Sequence, residues 1–594
     1  MPWPDSSPLK AFAPGLGPLQ RGNLRFDLFA GLTVAAVAIP QALAYAWVAG
    51  LPPQMGLMAA ALPCAAAALF GSSPYLVTGP TNPTALLLGT SVVMPALAAS
   101  GAVPVGQVLS TGLLVGIMVL AFGALGLGRT SRFLSDSVIV GFAAGTGVLI
   151  ALHMLPELTP GLQPSPHAGG FAPQSWPVLR DAARALAGAD SRSLGLMVFT
   201  AALILALRRI DRRFPAALVS LAVASLGSHG LGWNAGPDAL PQIASLDFAW
   251  PDRMGLDVPD LRSLAGPAFA IAILVTLQSV ATSRSVRPPP GVRLDPDREL
   301  FGQGVGNIVS SLVGGMVTCG SLTRTAVARS AGARSRLTAV VAGGAILVTL
   351  PALGPVISAV PMAALVGLVV LSGLELVDPR ALRRATTTRG DALILLATLG
   401  STLWLDLVQA LYVGLFLSLA LLVRRSGDLQ IVELVRSASG RFREIAIDDQ
   451  TGSTPAVLLH LEGDLNFAIA GDLSDRLAEI GRHTPRLVIV RLKRARHLDA
   501  TVLETLRQAV ATLHRGGTQV VLSGLNDDMV HVLEKTELGA LLGEKGLLRS
   551  GDRLFEGFER SMDRARRLLG ALPDDAIFRR DPDPSLGPQA PGPP

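Results

Sequence analysis

The feature that most constrains this chain is a series of long, uncharged apolar runs between Asp27 and Val423. A helix needs roughly 20 apolar residues to cross the hydrocarbon core of a bilayer. Runs of that kind begin near Leu28, Met55, Val108, Ser137, Leu194, Phe214, Leu264, Leu337, Ala359, Ala392 and Leu407. Of the 594 residues, 50% are hydrophobic and only 16% charged, and the mean hydropathy is +0.47. A soluble protein of this length would carry more charge, so most of the chain must face lipid. Shorter or interrupted runs near Thr84, Gly302 and Ser321 bring the expectation to about 14 membrane-entering segments. The fold class is therefore an α-helical polytopic membrane protein, and an even number of segments places both ends on one side.

Charge decides which side. Arg208, Arg209, Arg212 and Arg213, then Arg284, Arg287, Arg293 and Arg298, then Arg380, Arg383, Arg384 and Arg389, and finally Arg424 and Arg425 fall on one face. Basic residues collect on the cytoplasmic side, so a multi-pass cell-membrane protein with cytoplasmic N- and C-termini is expected. Two longer loops rich in Pro and Gly, around Pro156 to Arg192 and Gly232 to Arg262, read as the opposite face. The net charge of +6 is spread over these short clusters rather than gathered in one patch, which argues against nucleic acid as a partner. Cys64 and Cys319 both lie in apolar segments without a partner at metal-ligand spacing, so no disulfide framework, metal or other cofactor is expected. Residues 1–25 lack an apolar core followed by a small-residue cleavage site, so no removable signal peptide is expected.

Two stretches about 240 residues apart break the apolar pattern in the same way, which points to an inverted repeat. The first, Val77-Thr78-Gly79-Pro80-Thr81-Asn82-Pro83, opens a short run from Thr84 to Leu88. The second, Val317-Thr318-Cys319-Gly320-Ser321-Leu322-Thr323-Arg324, does so before Thr325 to Ala328. Each reads as an extended strand leading into a half-helix. Broken backbone inside a membrane is tolerated only where protein or a water-filled cavity satisfies it. The first turn of a half-helix offers free N–H groups and the positive end of a dipole, which together suit an anion. Ser321, Thr323, Thr81 and Asn82 add side-chain donors. The plainer alternative is that Gly and Pro only kink two ordinary helices; matching breaks in both halves weigh against it.

Arg324 is the most informative charge. An arginine within an apolar segment costs roughly 3 kcal/mol on insertion scales, and no carboxylate lies near it in sequence. A bound anion in a hydrated cavity is a natural partner. A distant carboxylate, or a place at the cytoplasmic end of its helix, would serve as well. In the first span Gln41 and Tyr45 are four residues apart and share a helix face, directed either to a cavity or to a neighbouring helix. Gln278 and Thr282 share a face in the same way in the segment Pro267 to Arg284, which has no ionisable residue between Ala268 and Ser283. Proton or sodium symport usually uses an intramembrane carboxylate, and none is present there.

Three long stretches resemble the SulP family of sulfate permeases and anion exchangers: DLFAGLTVAAVAIPQALAYAWVAGLPPQMGL, FGSSPYLVTGPTNP, and RELFGQGVGNIVSSLVGGMVTCGSLTRTAVARSAGARS. The resemblance covers nearly the whole chain. It implies seven-plus-seven inverted repeats, a mobile core domain moving against a gate domain in elevator fashion, a homodimer, and an inorganic anion as substrate between the two half-helices. Gln41, Tyr45 and the Gly79-Pro80-Thr81 break match positions that line the family's site. Thr323 and Arg324 match the serine-arginine pair that binds chloride in prestin. Thr282 matches a sodium-site threonine of the bicarbonate transporters, but Gln278 stands where many bacterial members carry the Glu or Asp that couples transport to protons or sodium. Taken together, the expected substrate-binding residues are Gln41, Tyr45, Gly79, Pro80, Thr81, Asn82, Gln278, Thr282, Ser321, Leu322, Thr323 and Arg324. Exchange or uncoupled transport is favoured over cation-coupled symport, with an anion channel as the further alternative.

From Val457 short apolar strands alternate with amphipathic helices, the pattern of a small α/β domain with a partly parallel sheet. Its stretches LEGDLNFAIAGDL, HLDATVLETL and LSGLNDDMVHVLEKTEL resemble the STAS domain, which implies regulation and a cytoplasmic protein partner. Asp499 can cap the helix that follows it. Ala500 stands where antagonist relatives carry a phosphorylated serine. No GxxxxGK[ST] loop or HExxH motif occurs, so an enzyme is not expected. The boundaries read from the sequence are 1–26 for a cytoplasmic N-terminal segment, 27–425 for the membrane domain, 426–454 for a linker and first part of the cytoplasmic region, 455–570 for the STAS domain and 571–594 for a disordered tail.

Overall fold

The computed structural model describes residues 23–130, 135–159, 175–211, 214–234, 239–242, 261–286, 288, 292–426, 430–436, 442–448, 450–462, 469–492, 499–550, 556–570 and 577–580. The chain forms two compact units, Met1–Leu419 and Ala420–Pro594. Arg212, Arg213 and Arg287 of the orienting clusters, and much of the two long loops, lie outside the described residues.

The first unit is helical, as the apolar runs require. Its helices are α1 (Leu24–Val48), α2 (Pro53–Ala60), α3 (Leu62–Phe70), α4 (Asn82–Leu88), α5 (Met94–Ser100), α6 (Val105–Ala124), α7 (Asp136–Met154), α8 (Ser175–Gly188), α9 (Ser191–Ile210), α10 (Ala216–Gly230), α11 (Leu261–Ser285), α12 (Pro296–Leu312), α13 (Leu322–Ser330), α14 (Leu337–Ser358), α15 (Met362–Leu374), α16 (Arg389–Trp404) and α17 (Leu407–Ser426). A π-helical turn, Gly89–Val93, joins α4 to α5. Among the described residues, nine helical stretches are long and apolar enough to cross a membrane. Two more, Ala216–Gly230 and Leu337–Pro351, are apolar but shorter. The loop expected after Pro156 contains α8, whose face with Val178, Ala182 and Ala185 is buried.

The helices group into two bundles. In one, α12 packs on α6 and α3, α14 on α1 and α3, and α13 on α1; in the other, α15 packs on α7 and α9, and α16 on α7. Small residues permit the closest crossing, as in membrane helix pairs generally. A Cβ at Gly304 of α12 would lie 2.7 Å from the Leu120 backbone nitrogen of α6, so only glycine allows these two helices to meet there. Two buried carboxylates tie distant segments of the first bundle together. Asp27 at the start of α1 accepts from the backbone N–H groups of Arg334 and Ser335 (2.7 and 3.0 Å) and from the hydroxyls of Ser335 and Thr338 (2.6 and 2.9 Å). Glu299 of α12 accepts from the Ser72 and Ser73 N–H groups (3.0 and 2.7 Å) and the Ser72 hydroxyl (2.9 Å). Hydrogen bonding on this scale compensates the desolvation of a buried charge.

The second unit contains a six-stranded sheet in the order β4-β3-β5-β6-β7-β8, with β3 (Gln430–Arg436), β4 (Phe442–Ala446), β5 (Ala456–Glu462), β6 (Leu487–Arg491), β7 (Gln519–Leu525) and β8 (Leu547–Arg549). Strand β3 runs antiparallel to both neighbours, and β5 to β8 are parallel. Alternation along β5 feeds two cores: Val457, Leu459 and Leu461 face one, and Ala456 and Leu458 the other. The first core is covered by α18 (Ala470–Gly481), α19 (Ala500–Arg515) and α20 (Asp527–Glu534), and the second by α22 (Glu556–Leu569); α21 (Glu537–Leu542) precedes β8. Asp499 caps α19, accepting from the Val502 N–H at 2.8 Å.

The stretch 426–454, expected as a linker and the first part of the cytoplasmic region, contains β3 and β4, and β3 pairs directly with β5. Within 571–594, expected as a disordered tail, Ile577 and Phe578 are buried in the second core, and the Arg436 N–H donates to the Arg579 carbonyl at 2.8 Å. In both cases partners distant in sequence supply the pairing, and local composition carries no trace of it.

Candidate functional site

The two breaks meet. Strand β1 (Thr78–Gly79) pairs antiparallel with β2 (Cys319–Gly320), Thr78 opposite Gly320 and Gly79 opposite Cys319. Flanking bonds extend the junction: the Ser321 N–H donates to the Val77 carbonyl at 2.9 Å, and the Thr325 hydroxyl accepts from the Val77 N–H at 3.1 Å. Each half-helix therefore starts from one shared element of extended backbone. Thr81 and Thr84 form a capping box at the start of α4, and their hydroxyls are 2.9 Å apart. Ser321 caps α13, its hydroxyl accepting from the Arg324 N–H at 3.4 Å. These caps consume part of the donor capacity expected for a ligand.

Arg324 lies in the first turn of α13 and is fully buried, at 0% exposure. Its side chain reaches back across the junction, where Nη2 donates to the Pro80 carbonyl and Nη1 lies against Gly79. A Cβ on Gly79 would sit 2.5 Å from Nη1, so the guanidinium occupies its place because residue 79 has no side chain. Among the described residues no carboxylate pairs with Arg324, and its Nε and Nη1 have no hydrogen-bond partner. The expected distant carboxylate is thus not found among the described residues, and Arg324 is closed off from solvent. Buried donors left unpaired in this way cost about 1–3 kcal/mol each, and more for a charged group.

Helix α1 packs against both α4 and α13, and Gln41 and Tyr45 on it are buried. Gln41 Oε1 and Asn82 Oδ1 have no partner among the described residues. Gln278 on α11 is half-buried, and its Oε1 accepts from the Thr81 hydroxyl at 3.5 Å. The Thr282 hydroxyl donates to the Gly320 carbonyl at 3.4 Å. Leu322 and Thr323 are exposed, and the Thr323 hydroxyl lies 3.2 Å from that of Ser321. Gly79, Pro80, Thr81, Gln278, Thr282, Ser321 and Arg324 are thus joined through the junction by direct contacts, with Asn82 at the first turn of α4.

Several supporting residues escaped the sequence reading. Asn307 of α12 accepts from the Thr318 N–H at 2.8 Å and donates to the Thr318 carbonyl at 2.9 Å, holding the backbone ahead of β2. Gln303, one turn earlier, donates to the Thr78 hydroxyl at 2.8 Å, and the Ser279 hydroxyl accepts from the Gly320 N–H at 3.0 Å. The same four-residue spacing that drew attention to Gln41 and Tyr45 exists at Gln303 and Asn307 and would have found them.

Comparison with known proteins agrees with this architecture. The model of the sulfate permease family matches residues 24–398, and that of the STAS domain residues 447–549. A protein of Mycobacterium tuberculosis named as a probable sulfate transporter is 30% identical over 551 residues, covering 91% of this chain and 96% of its own. The bicarbonate transporter BicA of Picosynechococcus is 26% identical over 530 residues, covering 87% and 91%. Among solved structures, SLC26A9 superposes with a TM-score of 0.80 at 18% identity over 92% of this chain and 91% of that one. The transmembrane domain of a cyanobacterial BicA superposes with a TM-score of 0.57 at 24% identity over 68% and 98%. These two likenesses establish the fold. The chain is a multi-pass membrane transporter rather than an enzyme, and it belongs to the sulfate permease family with a C-terminal STAS domain.

Proposed function

We propose that this protein moves inorganic anions of the sulfate, bicarbonate or chloride class across the cell membrane by elevator-type exchange or uncoupled transport. The observation that carries the reading is the guanidinium of Arg324, fully buried with Nε and Nη1 unpaired among the described residues. An anion accepting from these donors would supply the countercharge that no described residue provides. The first turns of α4 and α13 add favourable potential, and Gln41, Tyr45, Thr81, Asn82, Gln278 and Thr282 would surround the ion. Separation of the helices into two bundles supports a motion in which the bundle containing α1 to α6 and α11 to α14 carries the site past the other.

Gln278 supports exchange or uncoupled flux over cation-driven symport. A neutral amide beside Thr81 supplies no carboxylate there to take up a proton or balance a sodium ion when the anion loads. Both termini would be cytoplasmic, the STAS domain would regulate transport or recruit a cytoplasmic partner, and the working unit would be a homodimer. The test is anion uptake by the protein reconstituted in liposomes, with proton, sodium and counter-anion gradients varied independently. Arg324→Ala should abolish or strongly reduce uptake. Unchanged uptake of sulfate, bicarbonate, chloride and nitrate would remove Arg324 from the site.

A further inference from the structure

Away from the transport site, the STAS domain contains a cavity of about 450 Å³. Its wall brings together three nitrogenous side chains from three separate elements: His514 in the last turn of α19, Lys545 in the turn Glu544–Gly546, and Arg564 on α22. Not one of the described residues lining the cavity is acidic. Among the described residues neither Lys545 nor Arg564 has an ion-pair partner, and Arg564 Nε is buried without any hydrogen-bond partner. Val520, Leu542 and Leu568 supply an apolar wall. Complementing a helix C-terminus would account for a basic group at His514; it does not account for Lys545 or Arg564, which belong to other elements. Like charges placed around one cavity repel unless an anion joins them, and a pocket of this volume is large enough for a small ligand.

We propose that this cavity is a second, cytoplasmic anion site that takes a phosphate-type oxyanion, either free or carried on a small organic molecule. Lys545 and Arg564 donate to its oxygens, and His514 completes the ring. An ion held there links α22 to the turn before β8 and to the end of α19, so occupancy would be read as order in the helix that covers the second core of the domain. The proposal is independent of the transport reading, since it uses no residue of the membrane unit.

Equilibrium dialysis of the full-length purified protein against labelled inorganic phosphate and labelled phenyl phosphate tests it, with Arg324→Ala as the background so that the membrane site contributes little. Saturable binding of at least one probe is expected. Lys545→Ala, at an exposed position and with a thermal melt to check its folding, should weaken it about tenfold, and Lys545→Ala/Arg564→Ala by a further tenfold or so, as loss of hydrogen bonds to charged groups predicts. Tighter binding of phenyl phosphate would identify an organic carrier seated on Val520, Leu542 and Leu568; tighter binding of phosphate would identify the free ion. Absence of binding by both probes, or binding that Lys545→Ala and the double substitution leave unchanged, overturns the proposal.

Discussion

Substituting Gly79 by alanine gives the sharpest test of how the transport site is built. The added Cβ would lie 2.5 Å from Arg324 Nη1 and 3.1 Å from both Cζ and Nη2, whereas ordinary contact begins at 3.4 Å. The guanidinium must therefore withdraw by nearly 1 Å. Doing so breaks the Nη2 bond to the Pro80 carbonyl and displaces the two unpaired donors from any anion they hold. Overpacking of this kind costs about 1–3 kcal/mol, and a hydrogen bond to a charged group is worth about 1.5–3 kcal/mol. Since each 1.4 kcal/mol is a factor of ten, Gly79→Ala should weaken apparent anion affinity by about 10- to 100-fold. The assay is concentration-dependent uptake into liposomes, together with a thermal melt of the purified protein. Interpretation rests on the double substitution. If alanine acts by pushing Arg324, then Gly79→Ala should lower the melting temperature less in an Arg324→Ala background than in the parent, giving a coupling energy above about 1 kcal/mol, while the strain of alanine at the φ of +157° of residue 79 is the same in both. Equal effects in both backgrounds, or wild-type affinity in Gly79→Ala, would refute the account of the junction.

Two further outcomes follow from specific contacts. Gln278→Glu places a carboxylate beside the Thr81 hydroxyl, which Gln278 meets at 3.5 Å; uptake should become sensitive to an imposed proton or sodium gradient, and flux as indifferent to both as the parent's would count against Gln278 as the reason coupling is absent. In the STAS domain the Arg579 guanidinium binds Asp448 at 2.6 and 2.8 Å and Glu433 at 3.3 Å, and it holds the Asp448 carboxyl down at about 2. A depressed acid stabilises the fold above its unfolded value of about 3.9 and loses that contribution as pH falls towards its folded value. The protection factor of the amides at residues 577–580, their exchange measured against the intrinsic rate at each pH, should therefore be constant from pH 5 to 8 and fall below about pH 4, whereas Arg579→Ala should lower it already at neutral pH.

Much of this protein was legible in sequence because its strongest signals are local. Uninterrupted apolar length marks a membrane helix whatever surrounds it, and a helix-breaking Gly-Pro or Cys-Gly-Ser inside such a run marks the backbone that must be satisfied elsewhere. The paired breaks, the capping of α19 by Asp499 and the alternation of β5 all follow from neighbours a few residues apart. Arg324 could be singled out for the same reason, since the cost of its charge depends on the apolar segment around it.

Tertiary structure decided what needs partners from afar. Only the folded chain brings residue 79 against residue 324, leaves the guanidinium without a carboxylate among the described residues and places Nη1 where a side chain on residue 79 would displace it. Asn307 became a clamp on Thr318 through the approach of α12 to β2, and the caps showed that Thr81 and Ser321 spend hydrogen bonds on their own helices. The same holds in the STAS domain, where β3 and residues 577–580 join the sheet through pairing that spans more than a hundred residues in the second case. Periodicity reports which face of an element is apolar; it does not report which face of another element will meet it, because that is settled by the packing of the whole chain.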